Sequence, residues 1–172
     1  MASIMNRRRD LLYLLFFLIH LPVIFCVDIT PLYPTHLKPQ FMTDLRQWYI
    51  SIYRDRFFIS PPAWFEMYMY LELLYHVPVS VWAIKALLRD DPKVPIQLLV
   101  FAVQTAVTTS TCIADYMSWG GYSSVEKLEL GKLYVPYLGL AVFMGVDMLS
   151  RLTNSVGVLK NGQGRLANKK VQ

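Results

Sequence analysis

The chain has 172 residues, the size of a single domain, and 55% of them are hydrophobic while only 17% are charged. A soluble chain carries about 25% charged residues, so this composition predicts a membrane protein. The net charge of +5 does not indicate nucleic-acid binding, because the basic residues form short groups at the ends of apolar segments. The two cysteines lie within apolar runs, which favours two small buried side chains over a disulfide.

The first apolar segment follows three arginines at positions 7–9 and runs over residues 11–27. One interpretation is a cleaved signal peptide, with a basic start and an apolar centre. The apolar part is long for that role, and the residues before Asp28 contain no A-x-A pattern. We therefore favour a retained transmembrane helix over about residues 10–28, whose arginines keep the N-terminus in the cytosol.

Residues 29–60 are predicted to form a polar, aromatic connection on the lumenal side, broken in its first part by three prolines. From Phe41 to Phe58 the apolar residues recur at spacings of three and four. This pattern predicts a short amphipathic helix that lies on the membrane or caps the bundle. Asp55, between two arginines, is predicted to form structural ion pairs in this connection.

The second crossing, predicted over residues 61–88, carries polar side chains deep within an apolar helix. It starts at Pro61 and Pro62, which suit the first helical turn because the N–H groups there have no helical partner. Glu72 and His76 follow one turn apart on one face. An ionisable group at that depth costs about 2.5 kcal/mol or more, so it usually faces the bundle interior and marks a functional site.

The third and fourth crossings are predicted over residues 95–114 and 128–152. The centre of the third is rich in hydroxyl side chains, which is typical of closely packed membrane helices or of a cavity wall. Asp147, near the cytosolic end of the fourth, is predicted to face the lipid headgroups. The predicted fold is therefore an all-α, four-helix transmembrane bundle over residues 1–160, with an intramembrane ligand pocket, a lumenal amphipathic segment and both termini in the cytosol.

The predicted basic tail, residues 161–172, ends in Lys-Lys-Val-Gln. Lys169 and Lys170 thus match the dilysine pattern that coat proteins read for return to the endoplasmic reticulum. Lysines often occupy these positions by chance, but on a membrane protein with a cytosolic tail we favour a retrieval signal. This predicts a multi-pass protein of the endoplasmic reticulum membrane.

Ionisable side chains share one face of each of the first two crossings. His20, Ile24 and Asp28 follow at four-residue steps on the first, and Tyr68, Glu72 and His76 do so on the second. If these faces meet, they form a pocket with two carboxyl groups, two imidazoles and a rim of tyrosines. Two close carboxyl groups in a low dielectric cannot both stay ionised, so we predict a charged Asp28 near water and a protonated, deeper Glu72. Such a pocket offers one negative charge to a cationic or hydroxyl-bearing lipophilic ligand.

Each of these side chains also has a structural interpretation. Asp28 can end a helix at the interface, and the two histidines can satisfy backbone carbonyls that Pro22 and Pro78 leave free. The sequence has no nucleophile–base arrangement, metal-ligand spacing or phosphate-binding glycine loop, so we predict neither a metal nor a cofactor. The histidine and carboxyl pairs keep proton transfer open, and with it an enzyme.

Six short motifs occur along nearly the whole chain: Leu18-Ile19-His20-Leu21-Pro22, Val27-Asp28, Tyr53-Arg54-Asp55, Pro61-Pro62-Ala63-Trp64-Phe65, Leu71-Glu72-Leu73 and Val135-Pro136-Tyr137-Leu138. In this order they resemble the sigma-2 receptor family of the EXPERA superfamily, which also contains the emopamil-binding sterol isomerases. The run around Pro62 and Trp64, ahead of an acidic membrane helix, is the most specific of them. We expect these two residues to support the binding site.

The resemblance implies endoplasmic-reticulum proteins that bind sterols, oxysterols and amine drugs in a pocket opening sideways to lipid. It also implies homodimers and an association with cholesterol trafficking through the Niemann–Pick cholesterol transporter. By motif match, Asp28 would meet the ligand amine, Glu72 would be its carboxyl partner, and Asp55 would be a second aspartate that affects binding. Tyr134 and Tyr137 match tyrosines near the pocket.

Three functions fit these observations. We expect a receptor-like protein of the endoplasmic reticulum that binds sterols or cationic amphiphiles and acts in sterol trafficking or homeostasis. The second is a sterol Δ8–Δ7 isomerase, in which an acid protonates the ring double bond and a base removes a proton. The isomerases have an additional helix, for which this chain is too short. The third is a non-catalytic membrane factor that handles other proteins or lipids.

Overall fold

The computed structural model describes the backbone of residues 3–169 and the side chains of residues 3–158. Within these residues all regular structure is helical, which confirms the predicted all-α class. Four helical segments are long and apolar enough to cross a membrane: Arg8–Asp28, Ala63–Arg89, Val94–Ser118 and Ser124–Val158. The predicted four-helix transmembrane architecture is therefore confirmed.

The described residues include seven α-helices and two π-helical turns, and all of these except α2 and α3 belong to the crossings. In chain order the helices are α1 (Arg8–Val23), α2 (Gln40–Tyr53), α3 (Arg56–Ile59), α4 (Ala63–Leu71), α5 (Val77–Arg89), α6 (Val94–Ser118) and α7 (Ser124–Lys169). One π-helical turn, Ile24–Asp28, extends α1, and the other, Glu72–His76, joins α4 to α5. Of the predicted retrieval signal, Lys170 and the side chain of Lys169 lie outside the described residues.

The fourth crossing begins earlier than the sequence interpretation placed it, because Ser123 and Glu126 form a capping box. The Ser123 N–H donates to Glu126 Oε2 over 2.8 Å, and the Glu126 N–H donates to Ser123 Oγ over 3.3 Å. This reciprocal pair satisfies N–H groups that a helix start leaves without partners. The gap of residues 115–127 between the predicted third and fourth crossings is therefore reduced to a short connection after Ser118.

Two clusters of buried apolar side chains hold the bundle together. The first lies near the α5–α6 turn and includes Phe17, Leu87, Leu98, Phe101 and Met148. The second lies where α2 and α3 cover the other end, and it is mostly aromatic: Phe57, Phe58, Tyr116 and Trp119 belong to it.

The predicted amphipathic helix is present as α2. Phe41, Trp48 and Ile52 are exposed on its outer face. Tyr49 and Tyr53 point the other way, into the aromatic cluster. This division indicates that α2 turns one apolar face towards lipid and packs its other face against the bundle.

The expectation that Asp147 faces the lipid headgroups is wrong. Its side chain is only 3% exposed and accepts hydrogen bonds from Tyr13 (2.9 Å) and from Arg9. Arg151, one turn further along α7, forms a second ion pair with it at 2.8 Å. A buried carboxylate is tolerated only when charged and polar donors replace its water, and these three side chains do so.

The same network ties the start of α1 to the rest of the bundle. Asp10 is also buried and accepts from Arg7 (2.7 Å) and Arg151 (2.6 Å). Arg7 also pairs with Asp90 at 3.0 Å and donates to the carbonyl of Leu87. Thus α1 is joined to α5 and α7 through ion pairs as well as apolar packing.

Candidate ligand-binding site

A cavity of about 330 Å³ lies among the crossings, next to both π-helical turns. This volume lies at the low end of the range for small-molecule pockets, about 300–1,000 Å³. Seven predicted ligand-binding residues line it together: His20, Asp28, Tyr68, Glu72, His76, Tyr134 and Tyr137. The structure thus brings together residues from α1, α4 and α7 that are far apart in the chain.

Both candidate acids lie on π-helical turns, a feature that sequence reasoning missed. Asp28 ends the first turn and Glu72 begins the second. Each turn has a proline close by, Pro22 within α1 and Pro78 at the start of α5. A proline removes one helical hydrogen bond, and π-helical turns are frequent where a helix carries a functional site. The sequence did contain a signal for these turns, because in both apolar helices a proline lies six residues from the acid.

Neither Asp28 nor Glu72 has a hydrogen bond or an ion pair with another described residue, yet both line the cavity. Both residues are only partly buried, and neither has a carboxyl oxygen that is both buried and without a hydrogen-bond partner. Their polar atoms are therefore open to the cavity. The assignment of one charged and one protonated carboxyl group stays a prediction.

The histidines interact with side chains in the cavity wall, so the interpretation that they bond proline-released carbonyls is wrong. His76 Nε2 lies 3.0 Å from the Gln104 amide nitrogen, and His20 Nε2 lies 3.5 Å from the Tyr137 hydroxyl oxygen. The centroids of the two imidazole rings are 5.9 Å apart. They form a second polar group beside the carboxyl pair, on the side of the apolar cluster that contains Phe101.

Asp55 is completely buried and accepts three hydrogen bonds, each 2.9 Å long. The donors are the hydroxyls of Tyr49 and Tyr134 and the backbone N–H of Phe57. Burial raises the pKa of Asp55, while these donors oppose the rise because they favour the charged form. Asp55 therefore joins α2, α3 and α7 at the end of the cavity, although it does not line it.

The prediction that Asp55 forms structural ion pairs is wrong, since its described partners are the two tyrosines and a backbone N–H. Arg54 takes a left-handed backbone conformation at the end of α2, with φ of 50°, and pairs with Glu126 at 2.6 Å. Arg56 lies over the ring of Trp119, 5.5 Å from its centroid. The backbone turn directs Asp55 inwards and both arginines outwards.

Removing one of these bonds gives a direct test of the Asp55 group. We expect Tyr134→Phe to lower the free energy of unfolding by about 1–2 kcal/mol, because Asp55 Oδ2, which accepts from both Tyr49 and Tyr134, loses one of its two donors. Tyr70→Phe is the matched control, since Tyr70 is 53% exposed. Thermal denaturation of both variants in detergent measures the difference. Equal stability of the two would show that this hydrogen bond does not hold the site.

Sequence reasoning also missed Gln104 and Arg46. Gln104 is an uncharged amide within an apolar helix, a signal that was present in the sequence. Arg46 looked like a surface residue of an amphipathic helix, but it donates from Nη2 to the Phe58 carbonyl over 2.8 Å. The hydroxyl-rich centre of α6 lies in the cavity wall through Thr108 and Thr109, one of the two roles predicted for it.

Comparison with known proteins places this site in a family. The chain is 26% identical to "Sigma intracellular receptor 2" of Xenopus tropicalis over 157 residues, covering 86% of this chain and 91% of the relative. For the Homo sapiens protein of the same name the identity is 26% over 147 residues, covering 78% and 84%. It is 27% identical to "Efficient mitochondria targeting-associated protein 19" of Schizosaccharomyces pombe over 155 residues, covering 89% and 81%.

The family comparison covers the part of the chain that carries most of the site. The sequence model of EXPERA, the expanded EBP superfamily, matches residues 41–148. This range includes α2 to α6, most of the fourth crossing and the Asp55 group. The sequence resemblance to sigma-2 receptors is confirmed by the named relatives. The protein, a four-crossing membrane chain, therefore belongs to the EXPERA family.

Proposed function

We propose that this EXPERA protein binds sterols, oxysterols and cationic amphiphiles in the cavity and acts in intracellular sterol trafficking or homeostasis. The observation that carries the proposal is the pair of carboxyl groups, Asp28 and Glu72, which line one intramembrane cavity without a hydrogen bond or ion pair to any described residue. Ionisable groups at such a depth are expensive and normally have a partner. A bound ligand with a polar head would supply that partner.

The rest of the wall suits a largely apolar ligand. Val23, Val27, Met69 and Leu71 are aliphatic or thioether side chains, and Phe65 adds an aromatic face. Ligand pockets combine such surfaces with a few polar groups that fix the orientation. A sterol or an amphiphilic amine has this division, with one polar end on a rigid or extended hydrocarbon body.

We place the protein in the endoplasmic reticulum membrane with both termini in the cytosol. The support is the set of four crossings together with the arginines before the first and the basic residues after the last. The family resemblance further suggests a homodimer and a cholesterol transporter as a partner. An epitope placed at either terminus and probed in selectively permeabilised cells would test the orientation.

A second candidate function is favoured by one relative. The Schizosaccharomyces pombe protein is named for efficient mitochondria targeting. This name supports the third function predicted from the sequence, a membrane factor that handles other proteins or lipids. Under that function the cavity would serve as a regulatory site. The two relatives named as receptors favour ligand binding over catalysis.

The experiment uses purified wild-type protein with a labelled hydroxysterol, a labelled cationic amphiphile and a Δ8-sterol substrate. We expect saturable binding of the first two and no conversion of the third. Conversion of the Δ8 sterol would favour the isomerase, with Glu72 and the histidines as acid and base. Absence of any binding would contradict the proposal and favour the membrane-factor function.

A cavity-filling variant shows whether binding occurs at this site. Thr108 lines the cavity, so Thr108→Phe places a ring inside it and should weaken both ligands by more than about tenfold, the effect of 1.4 kcal/mol. Val107→Phe is the matched control, because Val107 is 60% exposed on the outside of the same helix. Equal affinities for the two variants would locate binding elsewhere.

A further inference from the structure

Arg46 places a cationic side chain beside the acidic end of the cavity. Its Nη2 donates to the Phe58 carbonyl over 2.8 Å, and its guanidinium lies 4.9 Å from the centroid of the Phe58 ring. Phe58 itself lines the cavity. The other terminal nitrogen, Nη1, is buried and has no hydrogen-bond partner in the described part of the chain. A buried cationic donor without an acceptor is costly, and the charge on this side of the guanidinium is left uncompensated.

The carboxyl group available to this donor is that of Asp28. Burial lowers the pKa of Arg46, while the charges of Asp28 and Asp55 oppose the fall. The helix that carries Arg46, α2, also packs directly against the π-helical turn that ends at Asp28. Asp55 already accepts hydrogen bonds on both of its oxygens. Neither Asp28 nor Glu72 accepts a hydrogen bond from a described residue, and of these two acids it is Asp28 that lies on the turn packed against α2.

This pair of charges treats two kinds of ligand head differently. An ammonium that approaches Asp28 is attracted by the carboxylate but repelled by the nearby guanidinium. A neutral hydroxyl can donate to Asp28 and carries no charge for the guanidinium to repel. Arg46 does not itself line the cavity, so its charge disfavours an ammonium there without blocking a hydroxyl.

We propose that Arg46 is a specificity-determining residue that makes this cavity favour neutral hydroxylated lipids over cationic amphiphiles. The inference rests on the proposed ligand-binding function and names the ligand class for it. The alternative is that Arg46 only packs on Phe58 and bonds its carbonyl. In that case its removal would weaken the two kinds of ligand equally.

A matched pair of ligands separates these cases: cholesterol, with a 3β-hydroxyl, and its 3β-amino analogue on the same skeleton. The measured quantity is the ratio of their dissociation constants in purified wild-type and variant protein. We expect Arg46→Gln to shift this ratio towards the amine by about tenfold or more, because removing one charge within about 12 Å at an effective dielectric constant of about 20 has at least that effect. Arg46→Lys keeps the charge and should keep most of the wild-type preference.

Two further variants serve as controls for folding and for the loss of a positive charge elsewhere. Arg46→Met retains the aliphatic stem over Phe58 and should shift the ratio like Arg46→Gln, even if the latter folds poorly. Arg56→Gln removes an exposed arginine from the neighbouring α3 and should leave the ratio unchanged. An unshifted ratio in Arg46→Gln and Arg46→Met, with both ligands still bound by the wild type, overturns this inference alone. Failure of the wild type to bind either ligand overturns the proposed function as well.

Discussion

Asp147→Ala is expected to lower the free energy of unfolding by about 3–5 kcal/mol, the usual cost of removing one partner from a buried ion pair. Asp147 holds Arg9, Tyr13 and Arg151 together at the α5–α6 end of the bundle. Without the carboxylate, the buried Tyr13 hydroxyl loses its acceptor and Arg151 keeps only Asp10. Thermal denaturation and denaturant titration of the purified protein in detergent measure the loss.

Glu129→Ala is the matched control on the same helix. Glu129 pairs with Lys132, but its side chain is 45% exposed, so its removal should cost less than about 1 kcal/mol. Asp147→Asn keeps the shape of the side chain and isolates the effect of charge. If Asp147→Ala were no less stable than Glu129→Ala, the ion network would contribute nothing measurable to the bundle.

Asp28→Asn is expected to weaken the binding of a labelled cationic amphiphile by about 30-fold or more. This factor corresponds to about 2 kcal/mol or more, the usual cost of removing one partner of a desolvated charge pair. The asparagine keeps the shape but carries no charge, while Arg46 remains and repels the amine. The hydroxysterol should lose less affinity, because an amide oxygen still accepts its hydrogen bond. Equilibrium binding with both labelled ligands gives the two values.

Glu72→Gln tests the second member of the pair. If Asp28 and Glu72 share one negative charge, the amide cannot share its proton in the same way, and amine binding should fall by about tenfold. Asp44→Asn and Glu66→Gln are controls, since both side chains are exposed on α2 and α4. Binding that stays intact in both Asp28→Asn and Glu72→Gln would remove the carboxyl pair from the site.

The crossings and most of the cavity residues could be predicted from the sequence because their signals are local. An apolar run of sufficient length predicts a membrane helix wherever it lies in a chain. A charged or imidazole side chain within such a run predicts an inward-facing functional residue without knowledge of its partner. His20, Asp28, Glu72 and His76 were found in this way, and all four line the cavity.

The partners of these groups could not be predicted, because they come from distant parts of the chain. Tyr13 and Asp147 are 134 positions apart and share a hydrogen bond, and Asp55 accepts from Tyr134, 79 positions away. Sequence spacing could show neither contact. From the sequence we therefore predicted that Asp147 faces the headgroups and that Asp55 forms ion pairs. The role of Arg46 likewise depends on how α2 packs against the first crossing. Local sequence thus determined which side chains enter the membrane, and helix packing decided which of them meet, because burial energy depends on the partner that replaces water.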